Sequence, residues 1–196
     1  FLNSMRLLTI LAAILAGLLG GTALTALVAR DGIVFDHRTL GSWVIAPRVG
    51  SELIDPYSRL RVLVSGELPL ANGEGFSLTA DRDHQGQALD GRCTYRLSGM
   101  MPAARFWTLS LTTPDGRPII TPIQRTGFTS AEIIRHGNGS FAIEIGPRPL
   151  AGNWLPSPET GAFILALRFY ETPLSATATV LEPRMLPELH REGCPS

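Results

Sequence analysis

Residues 7–29 run for 23 positions without a charge, and no other stretch constrains the chain as tightly. Eight of these positions are leucine (7, 8, 11, 15, 18, 19, 24 and 27), joined by Ile10, Ile14 and Val28. As a helix rising ~1.5 Å per residue the run is about 34 Å long, enough to cross a hydrocarbon core of about 30 Å. Its polar members, Thr9, Thr22 and Thr25, can return their hydroxyls to their own helix. The pattern predicts a retained transmembrane helix. A cleaved signal peptide, with Gly21-Thr22-Ala23 as its site, and a buried soluble helix are the alternatives. Retention is favoured because the run exceeds the usual h-region of about 7–15 residues and continues past that site. Ala13, Gly17 and Gly21 fall four apart, a stripe of small residues that lets a partner helix approach closely.

Orientation is weakly encoded. Arg6 precedes the run and Arg30 follows it, offset by Asp31, while Arg38 and Arg48 tip the arginine count slightly against an exported domain. The chain divides into a flank at 1–6, the helix at 7–29, a juxtamembrane segment at 30–54 and one domain at 55–196. In the juxtamembrane segment, Phe35 and Trp43 are expected either at the membrane interface or over an edge of the domain.

Composition narrows the function classes. Seventeen basic residues, all arginine, balance seventeen acidic ones without a basic tract, which excludes an electrostatic nucleic-acid footprint. Fifteen prolines and twenty glycines interrupt the chain too often for long helices in the domain and suit a mainly β fold with many turns. Of the two cysteines, Cys93 lies early in the domain and Cys194 third from the end. In an exported domain they are a candidate disulfide, and two separate thiols are the alternative. A bridge would put the domain on the oxidising side and break the tie in the arginine count.

The alternation of apolar and polar residues predicts strands at 74–80, 89–98, 106–111, 118–121, 132–135, 141–145, 163–170 and 175–181. The 163–170 strand is apolar on both faces at its start, as a central strand would be. Asn138-Gly139 predicts a hairpin joining 132–135 to 141–145. Asp55-Pro56 is a candidate cap and first turn for a short helix at 57–65. Asn138-Gly139-Ser140 matches a glycosylation sequon, which its turn context explains without a glycan.

Chemistry is sparse. Asp81-Arg82-Asp83 opens like a calcium loop, with Gly86 at position six, but Arg92 stands where the twelfth-position glutamate would be. His37, His84, His136 and His190 have no metal-ligand spacing, so no metal and no cofactor are expected. Nucleophile, phosphate-loop and dinucleotide motifs are absent. Arg105, Arg125, Asn153, Arg168, Tyr170 and Glu171 form the best polar constellation, and Trp107 and Trp154 could line a groove beside it or belong to the core.

Arg105-Phe106-Trp107-Thr108-Leu109, Asn153-Trp154-Leu155-Pro156 and Leu167-Arg168-Phe169-Tyr170 together resemble motifs of the domain-of-unknown-function family 1214, across about residues 55–194. The resemblance implies an antiparallel β-sandwich of jelly-roll character and no established reaction. It also implies one half of a split pair, the other half being a membrane-anchored protein of the 1254 type. Glu171 and Thr113-Pro114 depart from positions where relatives often carry Asp and Tyr-Asp. Three functions remain open. The first is an envelope module, anchored in a bacterial inner membrane with its domain in the periplasm, that assembles with a 1254-type protein or with itself. The second is a carbohydrate- or small-anion-binding domain with Trp154 and Arg168 in one groove. The third is a carbohydrate-active hydrolase.

Overall fold

The computed structural model describes residues 2–31, 37–65, 69–121, 123–174 and 181–195. Helix α1 (Leu2–Asp31) contains the apolar run, and Met5–Val28 is long and apolar enough to cross a membrane. Its threonines bond back as expected: Thr9 Oγ1 donates to Arg6 O at 2.8 Å, Thr22 to Leu18 O and Thr25 to Gly21 O, both at 2.9 Å. Helix α2 (Pro56–Ser65) begins where Asp55-Pro56 predicts. Asp55 Oδ1 accepts the amides of Tyr57 and Ser58, each at 3.0 Å, so two donors that the first turn leaves without a helical partner are satisfied.

Among the described residues there are ten strands: β1 (Arg38–Leu40), β2 (Trp43–Ile45), β3 (Gly75–Ala80), β4 (Thr94–Gly99), β5 (Phe106–Thr112), β6 (Gly127–Thr129), β7 (Phe141–Gly146), β8 (Asn153–Pro156), β9 (Ile164–Tyr170) and β10 (Glu188–Gly193); β3, β4, β5, β7 and β9 fall where the alternation predicts, and the other five do not. A large sheet has the order β1-β2-β3-β9-β5-β6, and a small one β10-β4-β7-β8. Strand β9 is central, between β3 and β5, as its two apolar faces predict. Inward residues of both sheets join one core, with Leu78, Leu109, Leu165, Leu167 and Phe169 from the large sheet and Tyr95, Leu97, Ile143, Ile145 and Leu189 from the small one. Trp107 meets Phe141 across it at 6.0 Å between ring centroids.

Several elements differ from expectation. The β7–β8 pair is parallel, so the small sheet is mixed and not wholly antiparallel. Strands β1 and β2 lie within the segment read as juxtamembrane, and β2 pairs with β3. Trp43 is buried there, and its Nε1 donates to Pro187 O at 2.8 Å, so it covers the domain and not a membrane interface. The expected 132–141 hairpin shrinks to one bridge, Arg135 to Phe141, because the Asn153 side chain takes both backbone groups of Ile134. Residues 118–121 likewise contribute a single bridge, Pro118 to Thr112. The expected strand at 175–181 lies, apart from Leu181, outside the described residues, as does Phe35. Strand β10 was not legible: Leu189 is the only buried apolar side chain in an edge strand that begins just after Pro187.

Cys93 and Cys194 are bonded, closing a sequence separation of 101 residues. The bridge ties the end of β10 to the start of β4. Beside it, the Asp81–Gln87 loop closes on itself. The buried Asp83 carboxylate accepts the Gln85 and Gln87 amides at 2.9 and 3.0 Å and meets Arg191 Nε at 2.8 Å. That last contact is a charge pairing without a well-aligned hydrogen bond. The carboxylate that opens like a calcium ligand is therefore occupied by its own backbone and an arginine.

Candidate functional site

The two sheets present different outer faces. On the large sheet, paired residues share a face, so Ser77, Arg168, Thr108 and Thr129 form one half-buried row across β3, β9, β5 and β6. Tyr170 pairs with Phe106 farther along, their rings 6.0 Å apart, and Arg105 binds Glu171 at 2.6 Å next to them. The row opens into a shallow depression of about 460 Å³ between β5 and residues 123–129, lined by Thr108, Ser110, Gln124, Arg125, Thr129 and Glu132. Gly127 allows β6 to lie close there, since a Cβ on it would fall 2.3 Å from Leu109 O. Gln124 takes a left-handed φ of 56°, and Glu171 at the other end takes 46°, conformations that cost energy in non-glycine residues.

Charge in the depression is fixed by local bonds. Glu132 Oε2 accepts the Thr129 hydroxyl and amide, both at 2.9 Å, and these bonds, the hydroxyl's first, hold its carboxyl below the ordinary 4.5. The Arg125 guanidinium lies 4.6 Å over the Phe128 ring. Hydroxyls, one carboxylate and one arginine at a shallow surface can hydrogen-bond a polar ligand.

The structure separates the residues that the sequence groups. Arg168 and Tyr170 share the outer face of the large sheet, Arg105 pairs with Glu171 just beyond the end of β5, and Arg125 lies at the depression. Trp107 is buried in the core. Asn153 is buried too, with Oδ1 accepting the Ile134 amide at 2.7 Å and Nδ2 donating to Ile134 O and Ala142 O at 2.8 and 2.9 Å. Trp154 is half-buried on the small sheet's outer face, its Nε1 bonded to Gly146 O at 2.9 Å. Trp154 and Arg168 thus lie on the outer faces of different sheets and cannot line one groove.

The small sheet's outer face carries a row His190–Arg96–Glu144–Trp154 across four strands. Arg96 Nε binds Glu144 Oε1 at 2.9 Å. At its edge the His84 and His190 rings meet tilted by 45°, with centroids 4.1 Å apart, and His190 Nε2 lies 3.0 Å from Glu188 Oε2. These histidines are scattered in sequence; the loop carrying His84 reaches β10 through its amide bond to Leu189 O at 2.9 Å. The pair stands on an open face, and among the described residues no group of three or more candidate ligands could hold a metal. The hydroxyl row was half legible, since Thr108 and Ser110 alternate against buried Trp107, Leu109 and Leu111. Its continuation onto β6 and Glu132 was not.

Comparison with known proteins adds a family and a fold. A crystal structure of the VPA0106 protein from Vibrio parahaemolyticus is similar at a TM-score of 0.57 and 20% identity, covering 68% of this chain and 34% of that one. A crystal structure of an uncharacterized protein from Burkholderia cenocepacia aligns at a TM-score of 0.43 and 19% identity, covering 62% and 31%. The chain therefore spans about a third of the length of either. No curated protein matches it. Residues 74–174, just over half the chain and including β3 to β9, match the family described as protein of unknown function (DUF1214), and the chain belongs to that family.

Proposed function

We propose that this protein is an envelope module, anchored in a bacterial inner membrane by α1, with its DUF1214 domain in the periplasm, that assembles with another membrane protein. The observation carrying the reading is α1: every side chain from Met5 to Leu27 is exposed. Each leucine left in water forgoes about 1.5–3 kcal/mol relative to burial, so such a helix calls for lipid or an apolar partner. The Cys93–Cys194 bond supports an oxidising compartment, hence the periplasmic side. A Cβ on Gly17 or Gly21 would meet nothing within 4 Å, and the groove they share with Leu60 of α2 is open, which leaves room for a partner helix. A 1254-type membrane protein, or a second copy of this chain, is the partner this reading expects. Two sheets sharing one core, with successive strands crossing between them, support a sandwich of jelly-roll character.

The test is a mild-detergent pull-down of the full chain from native membranes, read by mass spectrometry, with protease shaving of spheroplasts. A co-purifying membrane protein and a shaved domain are expected. Recovery of the bait alone as a monomer, or a domain protected until the inner membrane is broken, overturns the corresponding part.

The depression at Thr108, Thr129, Arg125 and Glu132 favours a second reading, a site for a carbohydrate or small anionic ligand. Ligand-induced chemical-shift changes confined to these residues would support it; none across a panel of sugars and small acids would count against it.

A further inference from the structure

Resting on the membrane-anchored reading, we infer that α2 and the turn before it lie on the lipid surface of the bilayer that α1 crosses. Helix α2 contacts α1, and its Leu60 lines an open apolar groove together with Gly17, Gly21 and Thr25 of α1. The midpoint of the Met5–Val28 span falls near Gly17. The groove's Gly21 to Ala26 part therefore belongs to the half-bilayer on the domain's side. At ~1.5 Å per residue Ala26 lies about 14 Å beyond that midpoint, so the groove's outer end reaches the acyl–headgroup boundary about 15 Å from the midplane, and α2 meets the bilayer from that end.

The surface of α2 fits that place. Tyr57, Leu60 and Leu63 recur every third residue and so share one side of the helix, an arc of roughly 120°. Arg59 and Arg61 bracket that arc, and α2 carries no acidic residue. Ser58 points the other way and is buried. Leu53 and Leu63 are 76% and 73% exposed, among the most exposed large apolar residues outside α1. In-plane helices of this kind sink an apolar face about 5–10 Å into the boundary while basic residues reach anionic headgroups. Continuity with α1 favours lipid over a protein occupant for this face.

Spin labels at Leu63→Cys or Leu53→Cys, in the full chain with its native disulfide intact, test the inference in vesicles of phosphatidylethanolamine and phosphatidylglycerol. Ile120→Cys is the aqueous reference and Leu15→Cys the deep one. Labels at 63 and 53 should collide several-fold less with a water-soluble nickel chelate than the label at 120, and more with oxygen. Chelate access at 63 and 53 equal to that at 120, with 15 still deep, overturns the inference and leaves the anchor standing. Full chelate access at 15 overturns both.

Discussion

Asn153 gives the sharpest test of whether a polar side chain grouped with the candidate site is structural. It is 7% exposed, and its amide makes three bonds to backbone: from Ile134 N, and to Ile134 O and Ala142 O. Asn153→Ala removes all three. At ~0.5–1.5 kcal/mol net per bond, and more for a group left dry, the loss comes to about 2–4 kcal/mol. The lower end is set by Ile134, which is 69% exposed and so gives water a route to its backbone. Asn153→Asp keeps the acceptor for Ile134 N but turns an anion towards two carbonyl oxygens. At pH 7 it should therefore be at least as damaging as the alanine, despite nearly identical shape. Burial and those carbonyls raise the introduced carboxyl's folded pKa above its unfolded value. The aspartate variant's deficit relative to wild type should therefore shrink as pH falls through that folded value. Urea unfolding of the full chain in detergent, followed by tryptophan fluorescence and far-UV circular dichroism, reads the differences at matched slopes. An alanine variant within about 0.5 kcal/mol of wild type, or an aspartate variant more stable than the alanine at pH 7, would refute the reasoning.

Further outcomes follow from other contacts. Replacing both Cys93 and Cys194 with serine should lower stability by up to ~4.7 kcal/mol in the chain-entropy picture for a loop of this length, read by the same urea series; free thiols at both positions in protein taken from the membrane would remove the premise. Arg191→Ala strands the Asp83 carboxylate, whose side chain is 0% exposed, and should cost about 3–5 kcal/mol. Arg191→Ala together with Asp83→Asn should recover part of that loss, and a double variant no better than the single would defeat the pairing argument. Thr129→Val should move the Glu132 carboxyl up towards 4.5 in a carbon-detected NMR titration. Because that pKa is lowered in the fold, whatever Glu132 contributes is present above its unfolded pKa and fades as pH falls through the folded one. An unchanged titration would show that the hydroxyl is not its main partner.

Local pattern carried a good part of the fold. The alternation at Phe106–Thr112 and Phe163–Tyr170 declared which side faces the core, because two-residue periodicity is a property of the chain alone. The Asp55 cap was equally local, a matter of two residues and the amides just beyond them. Elements failed to show where partners distant in sequence decide. β10 is a strand because β4 offers it an edge, and residues 132–135 form only a bridge because Asn153, far along the chain, competes for Ile134. The same limit applied to the site. Arg168 and Trp154 looked like neighbours in function, yet β8 and β9 belong to different sheets. His84 and His190 looked unrelated, yet one amide bond to β10 brings their rings together.

The apolar helix, the β character and the in-or-out direction of most strand residues are readable from the linear chain. Each of these follows from spacing within a few turns or pleats. Only the tertiary structure decided which strands are neighbours, that Trp43 joins the domain, that Asp83 faces Arg191 and that Thr108, Thr129 and Glu132 share one depression. Those facts depend on sheet order, and sheet order is set by packing between segments that the linear pattern cannot rank.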